Sequence, residues 1–449
     1  MGRSWQGAGF RLRHGYGGHG RHSAHNRRPA DTPHCRCPPT SESPRAAGCS
    51  TLYAMNPNPH TCERRQFLKA GAGALLGASL HPWAGAAEGG NAPRPRNAKV
   101  AIVPCAGYGS EVKTALDRSF DLLGGIGGLV RDKTVAVKIN LTGAKFDPLL
   151  GRPVGETYMT HPATVMALTA ALFRAGARRV RFVESTPLRQ PLEQTLVEAG
   201  FDWKALQALG RVEAENTRNL GRGRSYVSFK VPSGGQLFES FELNHSYADT
   251  DVFVSLCKLK THITTGITLT MKNHFGSTPN ALYGDDAPSE EGTRGRGRLH
   301  NLKGWEGRTN AAVFDPPGSK RDFFAPNDSG YRVPRIVTDI CGARPIHLGI
   351  IDGITTLNWA EGPWVKGKEQ KIARPRVLIC GMDPVATDTV GTMVMGFPNV
   401  RAPRGVVPFG PGDNHLVMAE QAGLGTCDVA RIEVVGQSIE KSRSREFPA

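Results

Sequence analysis

The chain has 449 residues and a formal net charge of +16 at pH 7. Residues 1–54 hold eight arginines and two acidic residues, a net +6, so the rest of the chain carries +10 and remains basic. That charge is compatible with attraction of acidic solutes. The apolar run at 70–80 is far shorter than the roughly 20 residues that are needed to cross a bilayer, so an integral membrane protein is not expected.

The first 54 residues differ in composition from the remainder of the chain. They are rich in Gly, His, Arg, Pro and Ser, lack any apolar periodicity, and are followed by Met55. Such a segment cannot bury enough apolar surface to fold by itself. We therefore predict a disordered extension or a start codon assigned too early.

Residues 55–86 have the features of an export signal. Arg64 and Arg65 are followed by a short apolar run of small residues and by an Ala-Gly-Ala sequence. The segment resembles a twin-arginine signal peptide with a signal-peptidase site. The resemblance implies that the twin-arginine translocation machinery exports the folded protein to the periplasm or out of the cell, with a mature chain that begins near Ala87.

Five cysteines lie after the predicted export signal, and they are widely spaced, at positions 105, 257, 341, 380 and 427. The chain has no C-x-x-C pair, which argues against an iron–sulfur cluster, a zinc ribbon or a thioredoxin-like centre. An exported protein is permitted one or two disulfides, but most of these cysteines lie in apolar, strand-like runs. We therefore predict buried thiols.

The first part of the folded region alternates strand and helix. Apolar runs and helical periodicity predict the order strand 99–104, helix 111–123, strand 134–139, helix 162–175 and strand 179–183. This alternation implies a parallel sheet with helices on its faces. We predict an α/β fold with a mostly parallel sheet and helices on both faces.

A small β-rich insertion follows two short helices. The helices are predicted near 192–199 and 203–209. The strand-like sequences YVSFKV and QLFESFEL then predict a hairpin around 233–235.

A buried strand at 252–256 leads directly into three basic side chains, Lys258, Lys260 and His262. Side chains repeat every two residues along an extended chain, so these three share one face if the strand continues. Three basic groups at the end of a buried strand destabilise the fold unless carboxylates or a bound anion compensate them. The pattern predicts an anion-handling or metal-handling pocket.

A helix is predicted from about residue 265 to residue 274. Thr264 or Thr265 is placed to cap its start, and Gly276 is placed to end it. The positive end of this helix would lie beside the basic side chains and favour an anion. Its far end carries Lys272, Asn273 and His274.

Residues 278–333 are rich in Gly, Pro, Arg and Asp and predict a long irregular loop. Arginines at 294, 296 and 298 either contact an anionic substrate or form a solvated basic loop, and we favour the solvated loop. Only Trp305 lies near them as an aromatic partner, so nucleic-acid binding is not expected.

The rest of the chain returns to α/β, with strands at 346–351, 376–380 and 430–435 and helices at 384–395 and 415–422.

Five predicted strands end in polar or charged residues. In open parallel sheets, ligands bind beyond the carboxyl ends of the strands. The convergence of five such ends predicts one site at a single sheet edge. The residues at these ends are Lys138 and Asn140, Glu184, the basic trio of Lys258, Lys260 and His262, Asp352, and Asp383.

Several of these residues also have purely structural explanations. Asp383 precedes a proline and fits a helix cap, which we favour over a catalytic role. His161 fits the entrance of a helix as well as it fits a ligand. Asp352 could form an ordinary turn, and Asn273 with His274 could simply form a helix end.

Seven segments of the chain form a recognisable series. In chain order they are VAVKINLTG, THP at 160–162, VES at 183–185, KLKTHITTGITLTMKNHFG, IIDGI, EGP at 361–363 and GMDPVATD. In this order they resemble the domain of unknown function 362 family, over nearly all of residues 98–437. Some relatives in that family carry ferredoxin-like cluster-binding segments, and this chain lacks their cysteines, so the resemblance implies no cluster of its own. The family leaves the chemistry open.

Our first functional hypothesis is an exported enzyme that acts on a small anionic metabolite bearing phosphate or carboxylate. In this hypothesis His262 is the leading general acid or base, and Lys260 and His274 are further catalytic candidates. The other candidates bind substrate (Lys138, Asn140, Lys258, Lys272, Asn273 and Glu184) or balance charge and hold a divalent cation (Asp352, His161, Glu361 and Asp383).

Two alternatives use the same residues. One is a periplasmic ligand-binding or cofactor-delivery module in which the lysines bind without turnover. The other is a metal-centred redox protein with His161, His262 and Asp352 as ligands, which the lack of a close H-x-x-H or E-x-x-H pair disfavours. A divalent metal is the one cofactor these residues suggest.

Overall fold

The computed structural model of the protein describes residues 98–232, 234–301, 316–320, 326–359, 361–365 and 369–447. The predicted N-terminal extension and the export signal lie outside these residues, as do parts of the predicted loop at 278–333. No helix within the described ranges is long and apolar enough to cross a membrane.

The strands of the described region belong to one large sheet and three two-stranded ribbons. In chain order they are β1 (Ala98–Pro104), β2 (Thr134–Lys138), β3 (Arg179–Glu184), β4 (Val212–Asn216), β5 (Val227–Lys230), β6 (Ser240–Leu243), β7 (Val252–Lys258), β8 (Thr261–His262), β9 (Gly266–Ile267), β10 (Leu348–Gly353), β11 (Thr356–Leu357), β12 (Ile372–Ala373), β13 (Val377–Gly381) and β14 (Ile432–Gly436).

The helices are mostly short and cover both faces of the sheet. They are α1 (Ser110–Leu122), α2 (Gly127–Val130), α3 (Pro162–Arg174), α4 (Leu192–Glu198), α5 (Trp203–Ala208), α6 (Leu269–His274), α7 (Asn280–Tyr283), α8 (Gly297–His300), α9 (Ser329–Ala343), α10 (Pro384–Val394), α11 (His415–Gln421) and α12 (Ile439–Ser442), with 3₁₀ turns at Val154–Glu156, His245–Tyr247, Phe275–Ser277 and Val429–Arg431.

The large sheet has eight strands in the order β14-β1-β13-β10-β7-β2-β3-β4. All neighbouring pairs are parallel except the two that β13 makes, with β1 and with β10. The predicted α/β class with a mostly parallel sheet is therefore confirmed. β2 lies between β3 and β7, so the chain leaves β2 toward one side and later adds β7 on the other, which forms a crevice beyond their carboxyl ends.

The sequence predicted that Asp383 lies at the same sheet edge as the other strand ends. The reversed direction of β13 shows that this prediction is wrong. A parallel neighbour needs a crossover connection, usually a helix, whereas an antiparallel neighbour does not. Between β10 and β13 the described residues form only the small β11–β12 ribbon, and β13 returns antiparallel. Asp383, which follows β13, consequently lies at the edge opposite the ends of the parallel strands.

Two apolar layers enclose the sheet, and strand residues alternate between them as the period of two requires. Val135 and Val137 face the layer built with α1 and α3, whereas Ala136 faces the layer built with α6, α9 and α10. All five cysteines of the described region are buried free thiols, as predicted.

The β5–β6 hairpin is confirmed, whereas helix α9 was missed because Pro334 lies inside it. Proline has no N–H to donate to the carbonyl four residues earlier. Here the freed carbonyl of Gly330 accepts a 2.8 Å hydrogen bond from the backbone N–H of Asp413. A contact from a distant part of the chain thus makes the proline acceptable, and no local pattern reveals it.

Helix α6 begins later than predicted because residues 261–267 form the β8–β9 hairpin, with Gly266 at φ 77°. The first N–H groups of α6 are capped from another helix by Asp388. Its carboxylate accepts hydrogen bonds from the backbone N–H of Thr270 at 2.8 Å, the Thr270 hydroxyl at 2.6 Å and the backbone N–H of Met271 at 2.9 Å. The start of α6 is therefore occupied by a protein carboxylate and does not face a ligand.

Replacing Asp388 with alanine should destabilise the fold by about 3 kcal/mol, because three buried donors lose their acceptor. Urea unfolding followed by circular dichroism measures this loss. Asp202→Ala is the matched control, since Asp202 caps the exposed helix α5 through one hydrogen bond to the backbone N–H of Ala205. Equal losses in the two variants would contradict the role given to Asp388.

Candidate functional site

A cavity of about 390 Å³ opens beyond the carboxyl ends of β2, β3 and β7. It lies at the point where the order of the strands reverses, which is where open α/β sheets bind ligands. Its charged and polar wall consists mainly of Lys138, Asn140, Glu184, Ser185, Lys260, His262, Lys272, Asn273, Asn280, Arg296, His300 and Glu361. Eight of these were predicted site residues, and the fold brings them together from segments far apart in sequence.

One wall is an ion pair between Lys138 and Glu184. The Lys138 ammonium lies 3.0 Å from Glu184 Oε1 and donates a 2.7 Å hydrogen bond to the carbonyl of Ile139. The other carboxylate oxygen of Glu184 accepts the backbone N–H of Leu141 at 2.9 Å. Both side chains are buried, so the pair fixes the ends of β2 and β3. Lys138 is thereby neutralised within the protein.

Two predicted amides hold the wall in shape. Asn140 Oδ1 accepts the backbone N–H of Thr142, which leaves its amide NH₂ directed to the cavity. Asn273 Nδ2 lies 3.0 Å from the Ser255 hydroxyl and donates to the carbonyls of Lys138 and Leu256. Asn273 therefore bridges β2 and β7, and its amide protons are used within the fold.

Lys260 and Lys272 supply positive charge to the cavity. The Lys260 ammonium donates to the carbonyl of Tyr158 at 3.0 Å. The Lys272 ammonium lies 4.4 Å from the centre of the Phe275 ring, which is a cation–π contact. Burial lowers the pKa of each lysine to about 8, although the charge of Glu361 opposes the shift. Both amines therefore lose a proton far more readily than a surface lysine does.

His262 and Glu361 form a contact pair within the cavity. Nδ1 of His262 accepts the backbone N–H groups of Thr264 at 3.0 Å and Thr265 at 3.2 Å, and Nε2 lies 2.6 Å from Glu361 Oε1. Burial lowers the pKa of His262 to about 4, so the ring is neutral at pH 7. With Nδ1 used as an acceptor, the neutral ring carries its proton on Nε2, which lies close to the carboxylate but lacks the alignment of a hydrogen bond.

The cavity holds Glu361 in its ionised form. Burial alone raises the pKa of a carboxyl, but the close contact with His262 and the charge of Lys272 lower the pKa of Glu361 below its usual value. The carboxylate is therefore the proton acceptor of the pair, and His262 orients it.

Arg296 and His300 were not among the predicted site residues. The Arg296 guanidinium donates to the carbonyl of Thr278 at 2.6 Å and to the Ser185 hydroxyl. The alternating Gly and Arg residues at 294–298 were the sequence feature that could have identified Arg296. The predicted solvated loop is wrong for Arg296, which lines the cavity, and for Arg298, which is buried. It holds for Arg294, which is exposed and paired with Asp286.

His300 packs edge-on against Phe275, with ring centres 5.3 Å apart. Burial and the charge of Lys272 lower the pKa of His300 to about 3, so its ring is neutral. Within the described residues we find no hydrogen-bond partner for either ring nitrogen. A neutral imidazole with free nitrogens can accept or relay a proton of a bound molecule.

Trp364 forms an aromatic edge to the cavity and was also missed. Its indole ring meets Tyr158 edge-on at 5.6 Å, and its side of the cavity is open enough to leave the residue 39% exposed. A Cβ atom on Gly143 would lie 2.6 Å from the Trp364 ring, so that glycine allows the ring to lie close over the backbone. The aromatic surface gives a ligand an apolar contact beside the cationic wall.

Lys258 does not line the cavity and instead belongs to a buried cluster behind it. Its ammonium lies 2.6 Å from the Tyr108 hydroxyl, 2.9 Å from the Gly155 carbonyl and 3.3 Å from Asp352 Oδ2. The Tyr108 hydroxyl donates to Asp352 at 3.0 Å, and the Tyr108 ring stacks on His161 at 3.5 Å. Lys258 and Asp352 thus neutralise each other inside the protein.

Three further predicted site residues have structural contacts. Both ring nitrogens of His274 are engaged, with the Ser277 hydroxyl and the Arg344 carbonyl, away from the cavity. His161 caps α3 by accepting the backbone N–H of Ala163 at 3.0 Å. Asp383 caps α10, as the cap interpretation predicted.

The candidate metal ligands do not meet. Among the described residues, no three His, Cys, Asp or Glu side chains are grouped so that they could hold a metal ion. Asp352 and His161 lie in the buried cluster, Glu361 lies in the cavity, and Asp383 lies at the opposite edge.

The comparison with known families agrees with the motifs. The model of the family described as "Domain of unknown function (DUF362)" matches residues 135–393. The chain belongs to this family. The matched DUF362 region contains every polar residue that lines the cavity, together with the buried Lys258 cluster apart from Tyr108. The curated proteins include no match to the chain.

Proposed function

We propose that this DUF362 protein is an enzyme that acts on a small anionic metabolite carrying a phosphate or carboxylate group. The observation that supports the proposal most strongly is the charge of the cavity. Among the described residues, Lys138, Lys260, Lys272 and Arg296 line it, against two carboxylates, those of Glu184 and Glu361. With the histidines neutral, the wall carries an excess of about two positive charges, and an anion is the ligand that compensates them.

The available donors fit the same ligand. Lys272 Nζ, the amide NH₂ of Asn140 and the ring of His300 all face the cavity without a partner among the described residues. Lys260 uses only one of its three N–H groups. Several donors that converge on one small volume bind the oxygens of a phosphate or carboxylate through charge-assisted hydrogen bonds.

The Glu361–His262 pair gives the proposal its catalytic part. An ionised carboxylate oriented by an imidazole can accept a proton from a bound molecule, and Lys272 and Lys260 can stabilise the negative charge that develops. Proton abstraction next to an anionic group is therefore the reaction class that these residues support.

Export through the twin-arginine route is part of the proposal. Its support is the sequence of residues 55–86, with the pair Arg64-Arg65, a short apolar run and a small-residue cleavage sequence. We propose that the mature protein acts in the periplasm or outside the cell.

A ligand-binding or cofactor-delivery module is the alternative. This alternative is supported by the contacts of His262. Its Nδ1 accepts two backbone N–H groups and its Nε2 lies beside Glu361, so both ring nitrogens contact groups within the protein. A module of this kind would bind the same anions through the same lysines and release them unchanged.

Ligand binding and turnover test the proposal. Inorganic phosphate, phosphorylated sugars and di- and tricarboxylates should raise the melting temperature, and calorimetry should give a dissociation constant for the best of them. Lys272→Gln should weaken that binding about tenfold or more, because a charge-assisted hydrogen bond is lost. Mass spectrometry of the ligand after incubation then separates an enzyme from a binding module.

The control is Lys204→Gln, which removes the same charge from an exposed position on α5. Equal weakening in both variants would show a general charge effect rather than a site. Absence of binding across the whole panel would overturn the proposal.

A further inference from the structure

The lysines near the cavity differ in how completely their amines are engaged. Lys138 is paired with Glu184 and bonded to a carbonyl, and Lys258 has three polar partners outside the cavity. Lys260 donates to the carbonyl of Tyr158. Lys272 alone among these four has no hydrogen-bond or ion-pair partner within the described residues.

Burial is the main cause that lowers the pKa of Lys272. Its Nζ lies over the face of Phe275, a contact that favours the charged form, as does the charge of Glu361, and the side chain is partly exposed to the cavity. The charges of Arg296 and Lys138 disfavour a further cation beside them, in addition to the effect of burial. A lysine that is desolvated next to other cations is the arrangement that makes an amine nucleophilic near neutral pH.

We propose that Lys272 Nζ is a nucleophile that forms an imine with the carbonyl carbon of a bound 2-oxo carboxylate. The inference rests on the proposed function, since the carboxylate of that ligand takes the anion position beside Arg296 and Asn140. It narrows the substrate from anions in general to anions that carry a ketone or aldehyde.

The bonds and protons of this step balance without any oxidant or reductant. The neutral amine attacks the carbonyl carbon, the N–C bond forms, and one proton moves from nitrogen to the former carbonyl oxygen to give a carbinolamine. The C–O bond then breaks, the hydroxyl group takes up a proton and leaves as water, and a protonated C=N bond remains. The proton taken up by the hydroxyl is the one that the ammonium released before attack, so the overall change is ammonium plus carbonyl to protonated imine plus water.

The neighbouring groups suit this proton transfer. The ring of His300 has two nitrogens without partners in the described region, and the charge of Lys272 adds to burial in lowering its pKa. The Glu361 carboxylate also interacts with Lys272 and can accept the proton that the ammonium releases before attack. Both groups lie on the cavity wall.

Borohydride trapping tests the proposal directly. The mature protein is incubated with pyruvate, with 2-oxoglutarate or with succinate, reduced with sodium cyanoborohydride, and examined by peptide mass spectrometry. Hydride addition to the imine carbon fixes the ligand to the lysine as a stable secondary amine. We expect one adduct, on Lys272, with a 2-oxo acid and none with succinate, which has no ketone.

Two lysine variants make the result specific. Lys272→Arg keeps the positive charge but cannot form the imine, so the adduct should fall by at least about tenfold. Lys204→Arg removes an exposed amine on α5, outside the cavity, and should retain the adduct. Adducts spread over surface lysines, or equal in both variants, would overturn the proposal. Because the site is mapped in the wild-type protein, a variant that fails to fold does not decide the matter.

The thermal shift of the same samples separates this inference from the proposed function. If 2-oxo acids and succinate raise the melting temperature but no adduct forms on Lys272, imine formation is wrong and anion binding stands. If neither they nor inorganic phosphate shift the melting temperature and no adduct forms, the anion site and the imine are both wrong.

Discussion

Replacing Asp352 with alanine is expected to destabilise the protein by about 3–5 kcal/mol, because it leaves the buried ammonium of Lys258 without its charge partner. The carboxylate also accepts hydrogen bonds from the Tyr108 hydroxyl, the Thr164 hydroxyl and the backbone N–H of Ile354. Lys258 and Asp352 are both almost completely buried. Urea unfolding of the purified variant measures the change in the free energy of unfolding.

A double variant distinguishes the ion pair from simple packing. Asp352→Asn with Lys258→Met removes both charges at similar volume and should be more stable than either single variant, because no unpaired charge remains. An exposed ion pair is the control for the buried one. Glu433→Ala breaks the contact of 3.7 Å with Lys99 and should lower the free energy of unfolding by less than about 1 kcal/mol. If Asp352→Ala cost no more than Glu433→Ala, the cluster would have no special role in stability.

Substitution of Glu361 by glutamine should lower kcat by about 100-fold or more on the substrate that the ligand panel identifies, because it removes the proton acceptor of the cavity. His262→Ala should have a similar effect, since the carboxylate then loses the contact that orients it. The effect should fall on kcat more than on KM, because neither side chain supplies the positive charge that binds the anion. Steady-state kinetics on folded protein provide the measurement.

His245→Ala is the control for these variants. His245 lies outside the cavity, where it contacts Asp249 at 2.8 Å, and its loss should leave kcat unchanged. A folded His262→Ala protein with full activity would remove the catalytic assignment of the pair and would favour the binding-module alternative.

Local sequence patterns predicted most elements of the sheet and its helices. The strand at 252–256 and the helix after Pro162 appear in the structure because apolar periodicity and a proline at the first helical turn act over a few residues. The cap by Asp383 is equally local, since its side chain bonds the N–H group three residues later. Such features need no knowledge of the rest of the chain.

The candidate site was predicted in part. Residues that directly follow parallel strands, such as Lys138 and Lys260, were found because parallel strands end at one edge. Glu184 was found for the same reason, but its pairing with Lys138 was not foreseen. His300 ends the four-residue helix α8, and Trp364 lies in an irregular segment. In both places neither periodicity nor strand order indicates the direction of a side chain.

By itself, the sequence determined the α/β class, the positions of the main strands and the edge of the sheet where charged residues collect. The tertiary structure decided which of those charges neutralise one another and which face a ligand. The charge of Lys258 is neutralised by Asp352, and the carboxylate of Asp388 accepts a backbone N–H at the start of α6. Lys272 has no hydrogen-bond or ion-pair partner in the part of the chain that the structure describes, and it lines the cavity. These pairings join residues about 90 to 120 positions apart. Burial strengthens the interaction between charges, because the protein interior has a low dielectric constant. Only the assembled fold therefore decides which charges pair.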